Sequence, residues 1–145
     1  FEYMFVFSKG KPKTFNPFKD KPNKMSGDKQ RGNIRQKDGS MRSRSNIGSV
    51  RKSHGIRFNI WNIYPITSNK ERTGHPAQFP ETLARDHILS WSNPGDIVLD
   101  PFSGSGTTAV VAKQQGRQYI GIDISQEYCD IANQRLKQTS LFSHI

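Results

Sequence analysis

The chain has 145 residues, 32% of them apolar, with 22 Lys and Arg against 12 Asp and Glu and a net charge of +10. This length suits one domain, or one domain and a tail. No apolar run approaches the ~18 residues of a membrane helix, and a lone Cys129 excludes a disulfide scaffold. The opening FEYMFVFSKG is not typical of a secretory signal, so we expect a cytoplasmic protein without a membrane span.

The positive charge lies in the first part of the chain. Residues 1–57 hold 15 Lys and Arg against four Asp and Glu, whereas residues 58–145 hold seven against eight. The basic part is rich in Gly, Ser, Asn and Pro without a sustained apolar period, which predicts loop or disorder when unbound. Nucleic acid is the natural partner of such a segment, with a solvated linker as the alternative. The candidate DNA contacts are Lys9, Lys11, Lys13, Arg42, Arg44, Arg51 and Lys52.

Apolar runs predict the first elements in chain order. Residues 3–7 (YMFVF) are typical of a short strand, and residues 56–63 alternate apolar and polar side chains like a half-buried strand or edge. A helix opens at residues 79–81 (FPE), where proline suits the first turn. Four residues of this helix fall near one face, which indicates core rather than site: Leu83, His87, Ile88 and Trp91.

The second half predicts alternating strands and helices. Residues 97–100 and 118–124 are typical of buried strands, and residues 107–115 and 126–136 of helices. Gly116 suits the end of the first of these helices, and Ser125 suits the N-cap of the second. Short connections between them predict a parallel strand–helix–strand unit, hence an α/β fold.

A glycine-rich turn, DPFSGSGTTA at residues 100–109, joins the first of these strands to its helix. Gly104, Gly106 and Ala109 match the G-x-G-x-x-G/A spacing of nucleotide-binding turns, in which helix-start amides favour an anionic group. Asp123 lies 17 residues after Gly106, where a carboxylate can bind two ribose hydroxyls. The alternative is a tight turn without a ligand.

The acid that precedes the turn narrows the ligand class. A buried Asp100 would repel a pyrophosphate and attract a cation or an amino group. S-adenosylmethionine carries an amino group, a sulfonium and a ribose, so it suits Asp100 and Asp123 together better than NAD does. The alternative for Asp100 is a cap of the loop.

Three motifs together resemble the β-class amino-methylating DNA methyltransferases: GHPAQFPE, DPFSGSGTT and GIDIS, after an opening EYMFVFSKGKPKTFNP. The resemblance runs from Glu2 to about Leu136. It implies part of a Rossmann-like doubly wound methyltransferase sheet with a basic irregular insertion, incomplete in this chain. Residues 1–8 would be a core strand, residues 9–57 a basic target-recognition segment, and residues 58–145 the S-adenosylmethionine-binding α/β part.

The resemblance also implies roles for individual residues. Asp123 would bind the ribose, with Ile124 beside the adenine. The residues that would cradle the methionine part are Asp100, Pro101, Phe102, Gly104, Gly106 and Thr107. Those that would pack against the cofactor from the preceding segment are His75, Pro76, Ala77, Phe79 and Pro80. Position 103 is Ser where relatives often carry an apolar residue, a mild departure.

The catalytic motif of that class, a polar residue followed by Pro-Pro and an aromatic residue, does not occur in this chain. We therefore assign no catalytic residue here and expect the C-terminal, cofactor-binding portion of an enzyme, with the N-terminal half as a partner. The target would be a flipped adenine or cytosine in double-stranded DNA, and the sequence does not say which. No metal is implied, and the resemblance also admits a homodimer.

Three hypotheses about function follow from the sequence. The first is the cofactor-binding portion of a methyltransferase that modifies the exocyclic amino group of adenine or cytosine in DNA. The second is a non-catalytic DNA-binding module on a relic methyltransferase scaffold. The third is a dinucleotide-dependent oxidoreductase that shares only the glycine turn.

Overall fold

The structure, a computed structural model, describes residues 3–66 and 78–141, with side chains up to residue 138. The chain divides into two units, Pro17–Trp61 and the remainder on either side of it. In chain order the elements are β1 (Lys21–Pro22), β2 (Asn33–Arg35), β3 (Met41–Ser43), β4 (His54–Gly55), α1 (Glu81–Trp91), β5 (Ile97–Asp100), α2 (Thr107–Gln114), β6 (Gln118–Gly121) and α3 (Gln126–Leu141). The fold is therefore mixed α/β.

The larger unit is built around a parallel pair of strands. β5 pairs with β6 in the register Ile97 to Gln118 through Asp100 to Gly121, and α2 connects the two strands. One apolar cluster joins α1 to α2 through Ala84, Ile88, Val111 and Ala112, with Val98 of β5 packed against it. A second cluster, Ala109, Val110 and Leu136, joins α2 to α3. The predicted strand–helix–strand–helix order is confirmed.

The helix ends follow from the residue types placed there. α2 begins after Gly106, whose φ of +79° is a left-handed conformation that favours glycine. Gly116, with φ of +74°, follows the end of this helix as predicted. The Ser125 hydroxyl accepts a hydrogen bond from the Tyr128 amide at 3.4 Å, which confirms Ser125 as the N-cap of α3.

Two predicted strands are wrong, and three boundaries move, with α2 ending at Gln114 rather than 115. Residues 3–7 and 56–63 form no ladder within the described part of the chain, because a strand is stabilised by pairing and neither segment pairs with another strand there. The aromatic rings of this segment nevertheless form a row, with the ring centres of Tyr3 and Phe5 6.5 Å apart and those of Phe5 and Phe7 6.4 Å apart. β6 ends at Gly121 rather than 124, and α3 continues to Leu141.

The smaller unit corrects the prediction that the basic segment is wholly loop or disorder. It forms one long antiparallel ribbon: β1 pairs with β4, Lys29 bridges Val50, and β2 pairs with β3. We use "ribbon" for residues 21–55 and "tip" for residues 33–43. At the turn of the tip, Asp38 accepts hydrogen bonds from the amide and the hydroxyl of Ser40 at 2.9 and 2.7 Å.

Aromatic and charged side chains hold the base of the ribbon. The Arg57 guanidinium lies 4.3 Å from the centre of the Phe18 ring and pairs with Asp20. That hydrogen-bonded guanidinium lowers the pKa of the Asp20 carboxyl below its ordinary value. The Lys21 ammonium nitrogen lies 3.7 Å from the centre of the Phe58 ring.

No helix among the described residues is long and apolar enough to cross a membrane.

Candidate cofactor-binding site

The candidate site lies where β5 and β6 end. Asp100 is the last residue of β5, and Asp123 follows β6 by two residues. Because the strands are parallel, both acids are carried to the same edge of the sheet. The Ile122 amide donates to the Asp100 carbonyl at 2.9 Å, and the Ser103 amide donates to the Ile122 carbonyl at 2.9 Å. The glycine loop is thus held against the end of β6.

The carboxylate of Asp123 organises this loop from within. Its Oδ2 accepts a hydrogen bond from the Gly104 amide at 2.7 Å, and its Oδ1 accepts one from the Ser125 amide at 2.9 Å. The Gly106 amide donates to the Ser103 carbonyl at 2.8 Å. The amides of Gly104 and Gly106 are therefore both donated within the protein.

One carboxylate oxygen of Asp100 caps the loop, and the other is free to accept a hydrogen bond from a ligand. Its Oδ1 accepts a hydrogen bond from the Phe102 amide at 3.0 Å, which is the capping role that the sequence left as an alternative. Its Oδ2 has no hydrogen-bond partner among residues 3–66 and 78–141. The half-buried carboxylate can therefore cap the loop and still accept a hydrogen bond from a ligand cation.

Sequence reasoning missed an arginine that supports the loop from behind. Arg135 of α3 donates from Nη1 to the Ser105 carbonyl at 2.8 Å and to the Thr107 hydroxyl at 3.3 Å. Its Nη2 donates to Glu81 of α1 at 2.9 Å. Ala132, three residues earlier on the same helix face, approaches the loop at Gly106, so Arg135 lies on the face of α3 that packs against the loop, and the sequence carries no signal of that packing. The Thr107 side chain is buried on this side of the loop.

Apolar side chains are exposed at the front of the loop. Phe102 is 87% exposed, and Ile124 is fully exposed. Phe79, partly exposed, and the half-buried Pro80 lie at the start of α1, where Pro80 is the N-cap. His75, Pro76 and Ala77 lie outside the described residues. The structure thus brings together Asp100, Pro101, Phe102, Gly104, Gly106, Asp123 and Ile124.

His87 and Trp91 take part in packing, as the sequence predicts. The Trp91 ring stacks on that of Phe15 with centres 4.7 Å apart. His87 is half-buried, and burial lowers the pKa of its imidazole below the ordinary value, while the neighbouring Asp86 acts weakly in the opposite direction.

The predicted DNA contacts divide between the two units. Lys9, Lys11 and Lys13 are exposed in the segment that precedes the ribbon. Arg42, Arg44 and Lys52 are exposed on the ribbon, and Arg51 is half-buried there.

A family described as DNA methylase matches residues 1–134 of this sequence. The chain belongs to the DNA methylase family. It is 55% identical over 143 residues to the orphan methyltransferase M.BamHII of Bacillus amyloliquefaciens, an alignment that covers 94% of this chain and 54% of that protein. It is 40% identical over 115 residues to the DNA adenine methyltransferase YhdJ of Escherichia coli (strain K12), an alignment that covers 76% of this chain and 39% of that protein. Among curated relatives it matches, this methylase chain thus spans about half the length or less.

One solved structure extends the family likeness to the fold. PvuII DNA methyltransferase (cytosine-N4-specific) superimposes with a TM-score of 0.51 at 28% identity, over 59% of this chain and 36% of that one. The family match decides against the dinucleotide-dependent oxidoreductase reading, since that reading depended on the glycine turn alone.

Proposed function

We propose that this chain is the S-adenosylmethionine-binding portion of an enzyme that methylates the exocyclic amino group of adenine or cytosine in DNA. The observation that carries the proposal is the meeting of Asp100 and Asp123 beneath one glycine loop at the carboxyl end of two parallel strands. Ligands of open α/β sheets bind at this edge. The sheet would be part of a Rossmann-like doubly wound fold.

The residues at this edge fit the proposed cofactor by their chemistry. The open Oδ2 of Asp100 suits the α-amino group, and a carboxylate at the position of Asp123 suits ribose hydroxyls. Exposed Phe102 and Ile124 supply apolar surface for the adenine and the methionine side chain. When bound, the cofactor supplies a methyl group that its sulfonium already activates. This chain would hold and orient it, and residues 75–80 would contribute further contacts.

The exposed sheet supports a proposal about the rest of the enzyme. Parallel sheets are normally covered on both faces, yet Ile97 and Leu99 on β5 are 61% and 59% exposed, and Ile120 on β6 is exposed too. We propose that a further polypeptide region covers this surface and supplies the polar-Pro-Pro-aromatic motif that engages a flipped base in double-stranded DNA. The chain spans 54% of M.BamHII, which leaves room for such a region.

Calorimetric titration of S-adenosylhomocysteine tests the cofactor assignment. The chain is titrated alone and after co-expression with the portion of M.BamHII that it does not match. We expect binding that Asp100→Asn weakens at least tenfold, because the amide keeps the Phe102 cap but removes the charge that attracts an ammonium.

A matched control lies at the other end of the same strand. Asp96 accepts a hydrogen bond from the Asn93 amide at 2.7 Å, so Asp96→Asn removes one equivalent carboxylate far from the loop. It should leave the affinity unchanged. Equal weakening by both variants, or no binding by a folded chain in either preparation, would overturn the proposal.

A second candidate function is a DNA-binding module without cofactor chemistry. The observation that favours it is the basic ribbon, whose strands pair with one another within a compact unit of their own. DNA affinity without affinity for S-adenosylhomocysteine in both preparations would support this reading.

A further inference from the structure

One side chain joins the glycine loop to the start of α1. Arg135 of α3 donates from Nη1 to the Ser105 carbonyl at 2.8 Å and from Nη2 to Glu81 at 2.9 Å. Ser105 lies in the loop, and Glu81 is the first residue of α1. Residues 75–80, which the resemblance assigns to the cofactor, run directly into Glu81. Arg135 therefore connects two parts of the chain that are both expected to contact one ligand.

This connection is shielded from water at its loop end. The Arg135 side chain is 16% exposed and Ser105 is 4% exposed, whereas the Glu81 side chain is 34% exposed. Hydrogen bonds from a charged donor are stronger than neutral ones, and a low local dielectric strengthens them further. Solvent screens the ion pair with Glu81 more effectively. We therefore expect the bond to Ser105 to contribute more than the ion pair.

The peptide unit between Ser105 and Gly106 is held at both of its polar ends. Its carbonyl accepts the Arg135 guanidinium, and its amide, on Gly106, donates to the Ser103 carbonyl at 2.8 Å. Glycine adopts both hands of φ, so a peptide unit that precedes glycine can turn over at little steric cost. Turning over would take a charged donor away from the carbonyl of a buried residue. Arg135 therefore selects one orientation of this peptide unit, the one in which Gly106 has a φ of +79°.

The same guanidinium reaches the first residue of α2. Its Nη1 donates to the Thr107 hydroxyl at 3.3 Å, and Thr107 is buried. The resemblance assigns Thr107 to the methionine part of the cofactor. Because Arg135 bonds to Ser105 and Thr107 together, it spans the junction at which the loop backbone turns into the helix.

We propose that Arg135 is a positioning residue of the cofactor site, which holds the Ser105–Gly106 peptide unit and sets the loop at a fixed place relative to the start of α1. The inference rests on the proposed function, because it names a residue that shapes the loop for the amino acid end of S-adenosylmethionine. Both Nη atoms of Arg135 are engaged by protein acceptors. Its effect on the ligand is therefore indirect, through the backbone of the loop.

Two ligands that differ at the amino acid end test this role. S-adenosylhomocysteine carries that end, whereas 5′-methylthioadenosine keeps the adenosine and the sulfur without it. Both are titrated calorimetrically into the 145-residue chain, alone and after co-expression with the portion of M.BamHII that it does not match. Arg135→Met should weaken binding of S-adenosylhomocysteine about tenfold or more, because the loop loses a charged donor, and leave 5′-methylthioadenosine binding unchanged. A variant that only lowered the folded fraction would weaken both ligands alike.

A conservative variant and a control accompany the titrations. Arg135→Lys keeps the charge but lacks the planar fork, so it should recover only part of the affinity for S-adenosylhomocysteine. It also serves if Arg135→Met does not fold, because the selective loss should persist at a smaller size. Lys137→Met removes an exposed cation from the same helix and should leave both affinities unchanged.

Amide hydrogen exchange, measured by NMR without a ligand, tests the hold on the peptide unit itself. Arg135→Met should raise the exchange rate at Gly106 about tenfold, because a peptide unit that turns over breaks the bond from its amide to Ser103. The Gly95 amide, which donates to the Gly116 carbonyl at 2.8 Å before the start of β5, is the internal control. Its exchange should stay unchanged. Equal acceleration at both amides would indicate general destabilisation and would contradict the role of Arg135.

Three further outcomes would overturn the inference: full affinity for S-adenosylhomocysteine in both Arg135 variants, equal loss of affinity for the two ligands, or unchanged exchange at Gly106. The two proposals fail separately. If the folded, unmodified chain binds no S-adenosylhomocysteine in either preparation, the proposed function is overturned and the cofactor role of Arg135 with it. If the unmodified chain binds and any of these outcomes is found, only the role of Arg135 is overturned.

Discussion

The carboxylate of Asp123 and the amide of Gly104 are joined by a 2.7 Å hydrogen bond, and the second oxygen of the same carboxylate accepts the Ser125 amide at 2.9 Å. One side chain thus fixes the glycine loop and the entry to α3 together. A charged acceptor shared by two amides makes stronger hydrogen bonds than neutral pairs do. The shape of the candidate site therefore depends on Asp123 before any ligand is bound.

Asp123→Asn should loosen the loop without unfolding the chain. The amide nitrogen replaces one acceptor oxygen, so one of the two backbone amides loses its partner, at a cost of about 1–3 kcal/mol. We expect faster hydrogen exchange at Gly104 or Ser125, measured by NMR. The matched variant Asp96→Asn should leave exchange unchanged, because among the described residues this side chain accepts only the Asn93 amide and an asparagine oxygen can still accept it. Unchanged protection at both loop amides in Asp123→Asn would contradict this role.

Gly106 is required at its position for two reasons that a single substitution tests. Its φ is +79°, and a Cβ there would lie 2.6 Å from the Cβ of Ala132 on α3. Gly106→Ala should destabilise the chain by about 2–4 kcal/mol, from the left-handed backbone and from overpacking. Urea unfolding measures the change.

Gly116 separates these two causes. Its φ is +74°, but a Cβ at this position meets nothing within 4 Å. Gly116→Ala should therefore cost only the backbone strain, about 1–2 kcal/mol. If both glycine variants lost the same stability, contact between the loop and Ala132 would have no energetic importance.

Arg135 should stabilise the loop more than a surface ion pair would. Only 16% of its side chain is exposed, and it bonds to Glu81 of α1 and to Ser105 and Thr107 of the glycine turn. Arg135→Met should lower the free energy of unfolding by about 1–3 kcal/mol, because buried acceptors lose a charged donor. Arg135→Lys should recover only part of this loss, since an ammonium lacks the planar fork.

A double-mutant cycle isolates the ion pair. Glu81→Gln is combined with Arg135→Met, and unfolding is measured for all four proteins. We expect the coupling free energy to be smaller than the loss in Arg135→Met alone, because the carbonyl of Ser105 also loses its donor. A coupling equal to the whole loss would mean that the contact with the loop contributes nothing.

The success of the sequence predictions depended on how local the deciding interactions are. The strand at residues 97–100 was predicted with its observed bounds because an apolar run ends in a glycine turn. Residues 3–7 and 56–63 have the same strand-like composition, but pairing decides a strand and composition does not show the partner. The ribbon escaped prediction because its strands are two or three residues long and turns and backbone hydrogen bonds hold them, without an apolar period.

The candidate site was predictable in its position but not in its internal bonding. The motif and the strand order placed Asp100 and Asp123 at one edge of the sheet, as found. The hydrogen bond from the Gly104 amide to Asp123 forms because the loop folds back over the end of the next strand. The contribution of Arg135 depends on how α3 packs against α2, and a single sequence carries no pattern that fixes that packing.

Stability should fall at mildly acid pH because of His87. Burial lowers the pKa of its imidazole in the folded state, so between that value and the ordinary value of about 6.5 the unfolded chain binds more protons than the folded one. The stability that neutral His87 provides is therefore complete above pH ~6.5 and declines as the pH falls below it. Unfolding of the unmodified chain and of His87→Gln should be compared at pH 7.5 and 5.5. The unmodified chain should lose more stability across this interval, since the variant lacks the titrating group while sharing all other histidines. An equal loss in both proteins would show that protonation of other groups accounts for the pH dependence.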